Sequence, residues 1–206
     1  RDIAKSIHFL KLSANQYDSE AQYLLGQIYL EGKFIARNIQ ESIHYFELSA
    51  QQNNSKALYS LGEIYYNLRD INKAINYLKL SAKLENPSAQ YLLGVIYMKG
   101  IYIPQDPDQS LYYLMQSSNQ NYTDANCTLG IIYYEGILVQ RNINKSIHYL
   151  QLAADQKSSN AQYILGEMYY LGQYVSRDVK KMFYYLKLSA DQNNSYAQFL
   201  LGKIFY

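Results

Sequence analysis

Three histidines, one cysteine and seventeen scattered carboxylates are the side chains in this 206-residue sequence that could do acid–base, nucleophilic or metal chemistry. Their spacing assembles none of it. His8, His44 and His148 stand at least 36 residues apart along the chain, too far to share a metal if each lies in its own structural unit. They also occupy one recurring position that elsewhere holds Asn76, Tyr112 or Tyr184, so they read as exposed helix residues. Cys127 is the only cysteine, which rules out an intrachain disulfide and leans toward a reducing, cytoplasmic setting. The ten glycines are dispersed too evenly to cradle a phosphate, and no nucleophile elbow, dinucleotide fingerprint or paired carboxylates occur. The chain therefore reads as a non-enzyme, with no catalytic residue, no cofactor and no metal.

Two other sets of residues carry chemistry of recognition. Arg1, Arg37, Arg69, Arg141 and Arg177 are all the arginines, and each precedes an Asp or Asn, with Gln105 in the sixth place. They form either a basic ladder for acidic partners or a structural device that bonds helix-end carbonyls or a neighbouring Asp. Asn-x-Ser/Thr sequons occur at Asn53, Asn121, Asn126 and Asn193. Three of these share one register position, where the Ser or Thr reads as a helix cap, so capping accounts for them without glycosylation.

The register that organises these residues is a repeat. The pattern Ala-x-x-x-Leu-Gly-x-x-Tyr recurs with its glycine at Gly26, Gly62, Gly94, Gly130, Gly166 and, with Phe in place of Tyr, Gly202. Successive intervals are 36, 32, 36, 36 and 36 residues, a period that marks stacked supersecondary units. Each copy reads as helix A. Ser19, Ser55, Thr123, Ser159 and Ser195 are the expected N-caps, with Gln three residues on completing a capping box at Ser19, Ser159 and Ser195. A second helix, helix B, starts each time from Asp2, Asn38, Asp70, Asp106, Asn142 or Asp178, its expected caps.

Glycine within helix A costs about 1 kcal/mol against Ala, so its recurrence predicts a neighbouring helix too close for a Cβ. Gly32, Gly100, Gly136 and Gly172 follow six residues later and fit helix stops. Ile35, Ile103, Val139 and Val175 then recur in the loop, where they are expected to tuck inward. The unit beginning near Ser55 lacks four loop residues and the second glycine, so its turn, Tyr66-Asn67-Leu68-Arg69-Asp70, should be tighter. The organisation expected is one array over 1–206. A leading helix B spans 2–15, five A–B units start near 19, 55, 87, 123 and 159, and a final helix A covers 195–206. Both ends fall inside a repeat, as in a piece of a longer protein.

Composition narrows the partners. Apolar residues make up 49% of the chain, enough to bury a core, and charged residues 17%, with a net charge of +2 and no long basic run. That argues against nucleic acid or an anionic membrane surface, which need clustered Lys and Arg. No apolar run approaches the ~20 residues of a membrane span.

The unit AQYLLGQIYLEGKFIARNIQESIHYFELSAQQNNS resembles the Sel1-like repeat, and the resemblance covers the whole chain. It departs from the usual pattern where helix B closes on Ser49-Ala50, Ser81-Ala82, Ser117-Ser118 and Ser189-Ala190 rather than the two alanines seen at Ala153-Ala154. The 32-residue unit is closer to a tetratricopeptide repeat. The resemblance implies an all-α, right-handed α/α superhelical solenoid that acts as a scaffold or adaptor, its helix A lining a concave groove. The cysteine-rich branch of the family, with a disulfide in each repeat, does not carry over.

On that geometry Ala21, Leu25, Ile28 and Tyr29 face the core, and Tyr23, Gln27 and Leu30 face the groove. The groove would comprise Tyr23, Gln27, Tyr59, Glu63, Tyr66, Tyr91, Val95, Met98, Ile131, Tyr134, Tyr163, Glu167, Tyr170 and Lys203, with Cys127, Phe199 and Tyr206 as further counterparts. Tyrosines there could bind a partner peptide or helix, or could pack one repeat on the next. Other readings are a regulatory array joined to a catalytic domain such as a kinase, or a structural subunit of a large assembly. A final helix A without its helix B predicts end-to-end self-association.

Overall fold

The structure, a computed structural model, describes residues 2–206, in which twelve α-helices and no strand occur. Two compact units are distinguished, Arg1–Leu93 and Gly94–Tyr206. The first contains α1 (Ile3–Ala14), α2 (Ser19–Glu31), α3 (Ile39–Ala50), α4 (Ser55–Asn67) and α5 (Ile71–Lys83). The division falls within α6 (Pro87–Lys99). The second unit contains α7 (Pro107–Asn119), α8 (Thr123–Glu135), α9 (Ile143–Asp155), α10 (Ser159–Leu171), α11 (Val179–Ala190) and α12 (Ser195–Phe205). In each, consecutive helices pack as pairs, the α/α solenoid arrangement expected from the repeat.

The helix-B caps are as expected. The side chains of Asp2, Asn38, Asp70, Asp106, Asn142 and Asp178 each accept from the backbone N–H three residues on. The helix-A caps are not. Asp18, Asn54, Asn86 and Asn194 accept from the first-turn N–H groups, and Ser158 does so at its own helix. Ser19, Ser55, Ser159 and Ser195 are therefore the first helical residues, one position too late to cap. The stronger or earlier cap wins, and Ser19, Ser55 and Ser159 serve through their carbonyls instead. These accept from the Oγ of Ser49, Ser81 and Ser189 at 2.6–2.7 Å. The serine of the Ser-Ala pair is thus a buried donor that ties the end of helix B to the start of helix A.

No capping box forms at Ser19, Ser159 or Ser195. Gln22, Gln162 and Gln198 reach back to the preceding helix B, donating to the carbonyls of Ala14, Ala154 and Ala190. Gln90 does the same to Ala82. Gln22 and Gln162 then accept from Gln52 and Gln192, which closes a small amide chain inside each unit.

The mid-helix glycines are where the sequence placed the close approach. A Cβ at Gly26 would lie 2.6 Å from the Phe46 ring, and at Gly62 2.6 Å from Leu78. At Gly94, Gly130 and Gly166 it would lie 2.6–2.7 Å from Leu114, Leu150 and Leu186. Those five partners are all completely buried. The approach also lets Ser110 and Ser146 on helix B donate to the carbonyls of Gly94 and Gly130 at 2.9 Å. Helix-stop glycines Gly32, Gly100, Gly136 and Gly172 have φ between +61° and +77°, a conformation costly for residues with a Cβ. Ile35, Ile103, Val139 and Val175 are half-buried beneath their loops. In the 32-residue unit α4 runs to Asn67, Leu68 caps it, and α5 begins at Ile71.

Candidate interaction surface

Tyrosine abundance has a structural origin on the side where helices A and B of one repeat meet. Tyr29 stacks on Tyr45 and Tyr65 on Tyr77 in the first unit. In the second, Tyr97 stacks on Tyr113, Tyr133 on Tyr149 and Tyr169 on Tyr185. All five pairs lie within 8° of parallel, and four carry a lysine ammonium over a ring (Lys11, Lys73, Lys145 and Lys181).

The residues expected on the groove face sit differently. In the first unit Tyr23 is half-buried against the core of Phe46, Ala57, Leu61 and Ile64, which Leu30 also joins. Its hydroxyl accepts from Gln27, and Lys56 lies over its ring. Burial first, then the charges of Glu20 and Glu63, push the Tyr23 phenol up. Tyr59, Tyr66 and Tyr91 are half-buried, and Glu63 is exposed.

In the second unit Val95 and Met98 are half-buried, and Ile131 and Tyr134 pack against the core around Leu165 and Met168. The Tyr163 hydroxyl donates to Glu167, and Tyr163 and Tyr170 both pack on the core of Met182, Leu186, Ala197 and Leu200. Burial and that hydrogen bond raise the Tyr163 pKa well above the ordinary phenol value. Lys203, Phe199 and Tyr206 are exposed. Cys127, the counterpart of Tyr23, is instead buried, and burial pushes its thiol pKa up, as for an inert packing residue.

The remaining candidates resolve as follows. His8, His44 and His148 are exposed, each edge-on to the aromatic ring that follows it. Among the described residues no group of three or more His, Cys, Asp or Glu could hold a metal ion, and no helix is long and apolar enough to cross a membrane. Arg141 donates to the carbonyls of Tyr134 and Glu135 at the end of α8, and Gln105 donates to that of Met98, the carbonyl-bonding role. Arg1 lies outside the described residues.

The sequons are explained by backbone conformation rather than by serine capping. Asn53, Asn121 and Asn193 have φ of 58–63°, and Tyr17, Glu85 and Lys157 at the same register have φ of 58–65°. Asn is the side chain that tolerates this left-handed region best after Gly. Asn126 is fully buried, accepting from Ser118, so no glycan could reach it. Asn144 completes a further such motif with Ser146, whose buried hydroxyl is bonded to Gly130.

One feature of the surface was not anticipated. In the second unit Tyr174, on the loop after α10, reaches the preceding repeat. Its ring stands edge-on to Tyr134 at 6.0 Å, beneath the Arg141 guanidinium at 4.6 Å, and its hydroxyl accepts from Arg141. With Val175 and Met168 this leaves no room there for a water molecule. The counterpart in the first unit is open. Leu30, Arg37, Ile39, Glu63, Ile64 and Leu68 line a notch of about 380 Å³. The 55–86 unit is four residues shorter in the loop that, as residues 172–177, fills the counterpart in the second unit. Its signal in the sequence is the 32-residue interval.

A family model described as Sel1 repeat matches residues 1–18, 19–54, 55–86, 87–122, 123–158 and 159–194. Among solved structures, a protective antigen of uropathogenic Escherichia coli displaying an SLR fold, c5321, is 27% identical with a TM-score of 0.85. The match covers 99% of this chain and 45% of that protein, so this chain spans less than half of its length. A Sel1 repeat protein from Oxalobacter formigenes is 24% identical over 91% of this chain and 78% of its own, with a TM-score of 0.84. YrrB, a TPR protein with an unusual peptide-binding site, is 18% identical over 98% of each chain, with a TM-score of 0.53. Among curated protein sequences none matches this chain.

Proposed function

From the premise that the chain belongs to the Sel1 repeat family, whose repeats are generally protein-interaction modules, we propose a non-catalytic scaffold that holds a partner's peptide or helix along the variable face of its A helices. The observation that carries this reading is a division of labour within helix A. Leu25 and Gly26 and their counterparts through Gly166 are committed to packing against the core and helix B. The position of Gln27 is half-buried or exposed in every copy, and it changes to Glu63, Val95, Ile131, Glu167 and Lys203 through the copies. Surrounding tyrosines add large amphipathic contact area at low entropic cost, the composition of binding hot spots. YrrB, which shares the fold, has a peptide-binding site in a repeat array of this kind.

Replacing Val95, Ile131 and Tyr134 with polar residues in the full-length protein tests the reading. Partners captured by the native protein should be lost in variants that keep the native helical circular-dichroism spectrum, at some cost in melting temperature because Ile131 and Tyr134 also pack on the core. An unchanged partner set would reject it. The proposal includes self-association through α12, whose Phe199 and Phe205 are each 75% exposed. Sedimentation should show mass rising with concentration, and a strictly monomeric species at high concentration would oppose it.

A further inference from the structure

The two notches described above are the same place in two repeat pairs, one filled from within and one empty. Leu30 corresponds to Tyr134, Arg37 to Arg141, Ile39 to Ile143 and Ile64 to Met168, each three repeats further along the chain. In the filled notch the occupant is a tyrosine side chain, and the arginine recognises it twice, through its ring face and its hydroxyl. In the empty notch the arginine is retained, but the longer loop that brings Tyr174 to the filled notch has no counterpart. Among the described residues the Arg37 guanidinium has no hydrogen-bond, ion-pair or ring partner. The floor is apolar, from Leu30, Ile39 and Ile64, and the volume of about 380 Å³ falls in the range of small-ligand sites, roughly 300–1,000 Å³.

We propose that this notch is a binding site for a tyrosine side chain presented by a protein partner, which would occupy it as Tyr174 occupies the filled one. The inference rests on the scaffold reading and adds to it one specificity-determining anchor. The chemistry is complementary. The phenol ring fits the apolar floor, its negative face meets the Arg37 cation, and its oxygen accepts from the guanidinium. Aliphatic side chains would fill the space without using the cation.

The test uses p-cresol, the tyrosine side chain alone, titrated into methyl-labelled protein and followed by NMR. Saturable shifts are expected at the methyl groups of Leu30, Ile39, Ile64 and Leu68, with a Kd on the order of millimolar for so small a ligand. Arg37→Ala should weaken binding about two- to fivefold, the range of an exposed cation–π contact. 4-Methylcyclohexanol, which has the shape but no π face, should bind more weakly than p-cresol. Replacing residues 68–69 with the six-residue segment 172–177 restores the missing loop, and it should abolish the shifts by supplying an internal tyrosine. Conversely, Tyr174→Ala should create a second p-cresol site, seen at the Met168 and Val175 methyl groups.

The proposal is overturned if p-cresol gives no saturable shifts, if the saturated alcohol binds equally well, or if the loop replacement leaves binding intact. The scaffold reading fails separately. Variants at Val95, Ile131 and Tyr134 that change no partner reject that reading whatever p-cresol does. Loss of partners in those variants, with no p-cresol binding, rejects the notch alone.

Discussion

Gly130 and Gly136 stand six residues apart and are glycine for different reasons. At Gly130, inside α8, a Cβ would lie 2.6 Å from Leu150, while at Gly136 it would come no nearer than 3.4 Å to any neighbour but would have to adopt a φ of +77°. Gly130 therefore belongs to the contact with helix B, and Gly136 to the turn that ends helix A. In a solenoid each unit's sequence is largely written for its neighbour. The comparison is broken most forcefully at these two positions. Gly130→Ala should destabilise by about 1–3 kcal/mol, because the Cβ meets the branching carbon of a fully buried leucine rather than a flexible tip. Gly136→Ala should cost about 1–2 kcal/mol, the penalty of a Cβ in the left-handed region. Gly136→Asn should recover part of that loss, since Asn tolerates this region, whereas Gly130→Asn should be at least as damaging as Gly130→Ala. Urea titrations followed by circular dichroism measure all four. Recovery by Asn at Gly130, or none at Gly136, would show that the two glycines are not retained for these separate reasons.

A second contrast separates two serines in matching positions of helix B. Ser146 donates to the Gly130 carbonyl at 2.9 Å, whereas the Oγ of Ser42, equally buried, finds no partner among the described residues. The local difference is at the helix-B residue that faces the glycine. Phe46 packs its ring over Gly26 where Leu150 covers Gly130. Ser146→Ala should cost about 0.5–1.5 kcal/mol, the net worth of a buried hydrogen bond. Ser42→Ala should be neutral or stabilising, since it removes a buried hydroxyl with nothing to bond. Thermal melts of the two variants decide this, and a loss at Ser42 equal to that at Ser146 would reject the contrast.

The fold was legible because its signals recur with a fixed phase. The helix-B caps, the mid-helix glycine and the helix-stop glycine each depend on one or two residue types at one register position, and four to six copies reinforce the reading. The helix-A cap was misplaced by one residue because Ser at position 19 and Asp at position 18 are both good capping types. Only the backbone shows that Asp18 takes the role and that Ser19 lends its carbonyl to Ser49. Gln22 fitted a capping box by spacing, but its partner, the Ala14 carbonyl, belongs to the preceding repeat and is invisible to a local motif. Of the candidate surface, the face of helix A could be listed but its half-burial could not, because how far Tyr23 sinks depends on Phe46 and Leu61 of other helices. The open notch lies furthest from local reading. It lies where the shorter loop of one repeat meets a floor supplied in part by the repeat before it.

The smallest effect concerns the turn that follows each helix B, where six residues share a left-handed backbone and differ in how well they suit it. Lys157 and Asn193 have φ of 65° and 63°. The geometry is demanded by the turn. The N–H of the next residue reaches back to the carbonyl five residues earlier, near the end of the helix, as Ser158 does to Ala153 and Asn194 to Ser189. A side chain with a Cβ in this region costs about 1–2 kcal/mol, a cost that Gly avoids and Asn lowers. Lys157→Gly should therefore stabilise by roughly 0.5–1 kcal/mol, and Asn193→Gly by no more than a few tenths, after the glycine's greater unfolded-state entropy is counted. The pair also isolates the reason for the sequons. If Asn193 is present for its backbone, Asn193→Gly keeps stability and removes the motif together. A fall in stability at Asn193 as large as the gain at Lys157 would mean that its side chain, and not its φ, is what the turn requires.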